Sequence, residues 1–109
     1  MHEASIVASM LSLAASRVPD GAALRRVHVR VGALTGVSPD SMRFYFEALR
    51  DVDADLDVVV EPLRATCGAC ARDATLSEPA WTCPACGAPA LEYHNGLELD
   101  LVAIEVDGA

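Results

Sequence analysis

Ile6, Val7, Met10, Leu11, Ala14 and Val18 recur at intervals of three and four, with Ser5, Ser9, Ser12 and Ser16 largely on the other side. That periodicity predicts an amphipathic helix over about residues 4–17, ended by Pro19-Asp20-Gly21. Val27, Val29 and Val31 then alternate with Arg26, His28 and Arg30, the pattern of a strand with one buried face. His28 falls on the polar side and is expected to be a solvated strand histidine. Gly32 and Gly36 bracket a loop, and Ser38-Pro39-Asp40 reads as a helix start, with Ser38 as N-cap and Pro39 in the first turn. Met42, Tyr45, Phe46 and Leu49 follow at the spacing of a buried stripe. The aromatic cluster Phe44-Tyr45-Phe46 is expected to belong to the core.

Farther along, Asp51, Asp53, Asp55 and Asp57 alternate in a way that suggests a calcium loop. The loop's sixth position should be glycine and is Leu56, and its twelfth should be glutamate and is Pro62, so a solvated turn into a strand from Leu56 to Leu63 is the better account. From about Thr66 to Pro89 regular periodicity fades, and this stretch, with all four cysteines and Pro79, Pro84 and Pro89, reads as a separate module. Afterwards Leu97, Leu99 and Leu101 alternate with Glu98 and Asp100, until Val102, Ile104 and Val106 take over the apolar phase. Such a phase change predicts a bulge, or a strand that becomes covered on both faces.

Composition narrows the class. With 109 residues, 52% of them hydrophobic, and a formal charge of −8, the chain reads as an acidic globule of about one domain, or one small domain plus a stapled module. Four thiolates around one zinc would move the balance to −10, which disfavours nucleic acid as a partner. The apolar run Ala4 to Ala15 imitates a secretory signal, but Glu3 precedes it and the first arginine is Arg17, the wrong charge order; it is also too short to span a bilayer. The expected compartment is the reducing cytoplasm, where cysteines more often hold metal than form disulfides.

Cys67-Gly68-Ala69-Cys70 and Cys83-Pro84-Ala85-Cys86 form two Cys-x-x-Cys knuckles separated by residues 71–82. A two-residue gap turns both sulfurs of a knuckle toward one ion, and two knuckles complete a tetrahedron, so a structural zinc on Cys67, Cys70, Cys83 and Cys86 is expected. The intervening stretch is slightly shorter than in most zinc ribbons. Iron or a redox dithiol pair fits less well, because a redox motif would carry one Cys-x-x-Cys beside a βαβ pattern. A full sulfur set leaves no open coordination position, which argues against catalytic zinc. Gly68 and Gly87 are expected to ease the tight turns. Trp81 is expected to cover the site, and His94 to be either a loop histidine or an auxiliary ligand.

The sequence begins Met1-His2-Glu3, which sets an amine, an imidazole and a carboxylate close together. The amine, the intervening amide and the imidazole can close fused chelate rings, a planar donor set that favours nickel(II) or copper(II) over magnesium or calcium. The other reading is an exposed start without a role.

Taken together, Met1-His2-Glu3, Val31-Gly32-Ala33-Leu34, the run Ser38 to Ala48, the four cysteines, Leu97-Glu98-Leu99 and Ile104-Glu105-Val106 resemble the HypA/HybF family nearly end to end. These are nickel metallochaperones of [NiFe]-hydrogenase maturation, some of which also serve urease. The resemblance implies an α+β fold of two helices and a three-stranded antiparallel sheet, with a zinc-ribbon-like module inserted before the last strand. The nickel-binding domain would take residues 1–65 and 90–109 and the zinc module residues 66–89. It implies nickel as transferred cargo on His2, with Met1, Glu3 and Asp40 as further ligands or groups touching the ligands. Without it, Asp40 would read as an ordinary acid at a helix start. It implies no enzyme activity and, as partners, a nickel-handling GTPase and the hydrogenase large subunit. The chain has no phosphate-binding Gly-x-x-x-x-Gly-Lys motif, so nucleotide hydrolysis would belong to another protein. His94-Asn95-Gly96 matches nothing in the family pattern that carries function. Two competing readings are a zinc-ribbon adaptor that joins proteins without handling nickel, and a zinc enzyme, which lacks an evident nucleophile and base pair.

Overall fold

The computed structural model describes residues 3–108, so the expectations for Met1 and His2 lie outside the described residues. Helix α1 spans Glu3–Ser16 and strand β1 Ala22–Gly32; helix α2 spans Pro39–Leu49 and strand β2 Asp55–Glu61. Three short strands follow, β3 (Leu63–Cys67), β4 (Asp73–Leu76) and β5 (Leu91–Tyr93), before the long closing strand β6 (Leu99–Gly108). No described helix is long and apolar enough to cross a membrane.

Two three-stranded sheets result, one ordered β2-β1-β6 and the other β4-β3-β5. The expected two helices and three-stranded sheet are present, but the first sheet is mixed rather than wholly antiparallel. Strand β6 runs antiparallel to β1, whereas β2 runs parallel to it, with Val29 opposite Val58. The reason is the connection: α2 carries the chain back before β2 begins, as a βαβ crossover must.

Helix α2 is set by its cap. The Ser38 side chain accepts the Ser41 N–H at 3.2 Å, Pro39 opens the first turn, and at the other end the Arg50 N–H bonds to the Phe46 carbonyl. One face of the first sheet lies under both helices. Val27, Val29 and Val31 join Val7, Ala14, Met42, Phe46 and Ala54 in one apolar cluster, flanked by Ile6, Met10, Leu11, Leu99, Leu101 and Ile104. Each fully buried side chain of this kind contributes about 1.5–3 kcal/mol of burial energy. The expected stripe on α2 is narrower than its spacing implied: Leu49 is exposed, and Phe44 turns outward to meet Tyr45 edge-on with ring centres 5.2 Å apart. Phe44 is two positions, about 200°, from both buried Met42 and buried Phe46, and cannot share their face.

The anticipated bulge in β6 is there. His28 pairs with Ala103 and Val29 with Leu101, which leaves Val102 as the extra residue and shifts the apolar phase. The strand expected from Leu56 to Leu63 is divided instead, because Pro62 has no N–H to donate and separates β2 from β3, which belongs to the second sheet. The Cα radius of gyration, 17.5 Å, exceeds the value of about 13 Å for a compact chain of this length. The molecule is long, 56 Å on its greatest axis, and the chain crosses between the helical unit and the cysteine-bearing sheet at residues 61–63 and 93–99.

Candidate metal centre

Both cysteine pairs sit in turns of the same construction. The Ala71 N–H returns to the Cys67 carbonyl at 2.9 Å, and the Gly87 N–H to the Cys83 carbonyl at 2.8 Å; Cys67 N–H donates to Arg72 and Cys83 N–H to Ala88, both at 2.9 Å. Each turn therefore needs a left-handed residue just after its second cysteine. Gly87 fills that place at φ 78°, as anticipated, but in the first turn the residue is Ala71, at φ 62°, and not Gly68. A non-glycine residue there costs about 1–2 kcal/mol, which the rest of the module must offset.

Inside the turns, backbone N–H groups point at sulfur. Ala69 and Cys70 donate to Cys67 Sγ at 3.4 and 3.5 Å, and Ala85 donates to Cys83 Sγ at 3.3 Å. These donors favour thiolate. The Cys70 and then the Ala69 N–H lower the Cys67 pKa to about 7, and those of Cys86 and Ala85 lower that of Cys83. Cys86 moves the other way: the Ala88 N–H lowers its pKa, but desolvation and the three neighbouring thiols prevail and raise it to about 11. Two sulfurs are thus readied for ionisation by the backbone, while the last proton leaves only when a cation compensates the crowding of charge.

The geometry suits one tetrahedrally bound cation. The four sulfurs lie within 4.8 Å of one another, with Cys67 to Cys86 at 3.7 Å and Cys70 to Cys83 at 3.8 Å. A disulfide requires about 2.05 Å, so all four remain thiols. A regular tetrahedron with zinc–sulfur bonds of about 2.3 Å has edges of about 3.8 Å, which these separations match. The donor set fits structural zinc, with no coordination position left for a substrate. Among the described residues this is the only group of three or more potential ligands close enough to hold an ion.

The other expected site residues are distributed differently. Trp81 does not cover the cysteines; it is 93% exposed. Tyr93, which sequence reasoning missed, organises that region: its hydroxyl accepts the Ala80 N–H and donates to the Ala80 carbonyl, both at 2.7 Å, pinning the approach to the second knuckle. His94 hydrogen-bonds through Nε2 to the Thr66 hydroxyl at 2.7 Å, and is not part of the sulfur cluster. At the opposite end, a Glu3 carboxylate oxygen accepts the N–H of Ser38 at 3.2 Å, which ties the start of α1 to the cap of α2. Asp40 lies two residues beyond that cap, exposed, with Arg43 at 3.0 Å. His28, expected to be solvated, is instead held between two carboxylates, Asp57 at 2.9 Å and Glu105 at 2.6 Å.

Residues 1–106 match the model of a family described as hydrogenase/urease nickel incorporation, metallochaperone, hypA. The chain belongs to the HypA family. Among curated relatives it is 33% identical to the hydrogenase maturation factor HypA of Chloroflexus aggregans, over 96% of this chain and 98% of that one. With the corresponding factor of Streptomyces avermitilis it shares 38% identity over 95% of this chain and 86% of the other. The solution structure of the nickel metallochaperone HypA from Helicobacter pylori aligns over the whole of both chains, with a TM-score of 0.64 and 25% identity. Membership makes this protein a hydrogenase maturation factor of the nickel-incorporation class, a metallochaperone and not an enzyme.

Proposed function

We propose that this HypA protein holds nickel(II) as cargo at its amino-terminal segment and passes it on for insertion into [NiFe]-hydrogenase. The ligands are the Met1 amine, the His2 imidazole and amide nitrogen, and a donor from or near Glu3, with Asp40 as a ligand or a group hydrogen-bonded to one. The observation that carries this reading is the Glu3 to Ser38 contact, which brings the beginning of α1 against the first turn of α2, where Asp40 stands. Nitrogen donors of this type suit nickel, and a site at the chain start can lose its donors one at a time to a receiving protein. Zinc, in contrast, is enclosed by four sulfurs and keeps residues 66–89 in shape as a module beside the nickel-binding domain of residues 1–65 and 90–109. The receiving partners are a cytoplasmic nickel-handling GTPase and then the hydrogenase large subunit; urease is a second client that the family's scope admits.

The test is calorimetric titration of nickel into untagged, zinc-loaded protein whose mass confirms that Met1 is present. His2→Ala, and a variant with residues added before Met1, are both expected to lose nickel binding while keeping one zinc per chain. Wild-type binding in both variants would remove the terminal chelate, and no uptake by the unmodified protein would favour the adaptor reading. Acidification should release nickel, since the amine and imidazole bind only when unprotonated.

A further inference from the structure

His94-Asn95-Gly96, a segment not assigned to the family's function, lies where the two sheets meet. The Asn95 amide oxygen accepts the Arg64 N–H at 2.7 Å, while its Nδ2 donates both to the Pro62 carbonyl and to Glu98 Oε2, each at 2.9 Å. One side chain on the returning crossing therefore grips the backbone of the outgoing crossing on both sides of Leu63. Glu98 completes the arrangement through Oε1, which accepts the Gly96 N–H at 2.8 Å. The same segment is fastened to the end of β1: Gly32 N–H donates to the Glu98 carbonyl at 2.7 Å and Leu34 N–H to the Gly96 carbonyl at 2.8 Å.

Three stretches, 32–34, 62–64 and 95–98, are thus knitted together, the last two by one amide and one carboxylate and the first by two backbone hydrogen bonds. The packing leaves no slack. Gly96 takes φ 127°, and a Cβ there would overlap the side chains of Leu34 and Leu63; a Cβ on Gly32 would run into the Gly96 carbonyl and Glu98 Oε1. Leu63 itself is fully buried at this point. Elsewhere, packing between elements is concentrated within each unit.

We propose that Asn95 and Glu98 are positioning residues that lock the cysteine module at one angle on the helical unit, so that the elongated molecule moves as a single body. The interaction is geometric: a planar amide bonded on both edges resists the twist that a chain crossing at Pro62 would otherwise permit. The proposal needs no nickel and is independent of the terminal chelate.

Backbone 15N relaxation on the full-length, zinc-loaded protein tests it, because overall and separate tumbling give different correlation times for residues 63–93 and for the rest. Wild type is expected to show one shared correlation time. Asn95→Ala should lose it, with the module tumbling faster than the helical unit while zinc stays at one per chain. Leu97→Ala, at an exposed position in the same segment, should behave as wild type. If Asn95→Ala sheds its zinc, Glu98→Gln carries the test, since it keeps an acceptor for the Gly96 N–H but sets an amide group against that of Asn95. A shared correlation time persisting in the variant that retains zinc would overturn the proposal, as would separate tumbling in the wild type.

Discussion

The two sheets have the same number of strands and are held together by different forces. The first lies under two helices and shares with them a cluster of ten buried residues, from Val7 to Ala54. The second, over residues 63–93, buries only Leu63, Ala65, Cys67 and Cys83, and two of those four belong to the sulfur cluster that fits zinc. So small an apolar core does not offset the entropy of ordering about thirty residues. The comparison teaches that a sheet can be specified by sulfur geometry where it cannot be specified by hydrophobic burial. It also divides the labour: the cysteine module is built around a sulfur cluster that fits zinc, and the region proposed to handle nickel is the helical unit.

Removing zinc is the largest way to break the symmetry between the sheets. Binding of a structural zinc is worth about 10–16 kcal/mol in small domains at neutral pH, and with the four sulfurs all in one region that energy would fall almost wholly there. Chelation, or Cys67→Ser, is expected to abolish hydrogen-exchange protection across residues 63–93 while the amides of β1 and α2 remain protected. Equal loss in both regions would mean that the helical unit depends on the metal as well.

The converse experiment empties the other core. Phe46 is 2% exposed, and Phe46→Ala should cost about 3–5 kcal/mol through lost burial and the cavity left behind. Denaturant unfolding followed on the helices should shift to lower concentration by that amount, with zinc still bound at one per chain. Early zinc release in this variant would show that the joint transmits instability between the sheets.

Much of this contrast was legible in the residues, and what escaped has physical causes. Cap, proline and stripe located α2, the apolar phase change pointed to a bulge or a doubly covered strand where the structure has a bulge, and two Cys-x-x-Cys spacings anticipated the sulfur cluster, because each of these signals is local. Strand direction is not local: the alternation around Val58 is the same whether β2 runs with β1 or against it, so the parallel pairing was hidden. The Asn95 joint was hidden for a related reason, since its partners Pro62 and Arg64 are about thirty positions away and offer only backbone groups, which every residue has. Trp81 misled because burial is the usual fate of a large ring near a metal, whereas here Tyr93 and its hydroxyl hold the neighbouring loop. His28 was placed correctly on the polar face, but its partners come from β2 and β6, which one strand's pattern cannot name.

That histidine gives the smallest and finest test of how the first sheet is held. Strand β1 presents Arg26, His28 and Arg30 on the face away from the helices, between acids of both edge strands: Asp55 and Asp57 from β2, Asp100 and Glu105 from β6. Both ring nitrogens of His28 face carboxylates, and a neutral imidazole has only one N–H to give, so the arrangement suits the protonated ring. The hydrogen bond to Glu105, then that to Asp57, raises the His28 pKa above its ordinary 6.5, outweighing a partial desolvation that lowers it. A raised native pKa means that the native state binds the proton more tightly than the unfolded chain does. The stabilisation is therefore complete below pH 6.5 and declines as pH climbs through the higher native value. Because the three side chains remain partly exposed, salt should weaken the effect. Unfolding of the helical unit measured from pH 6 to 9 should show this decline in wild type and lack it in His28→Gln, whose amide has no charge to lose. An unchanged slope in the variant would assign the pH response to another group and leave Arg26 and Arg30 as the charged side chains on that face of β1 that pair with the edge strands.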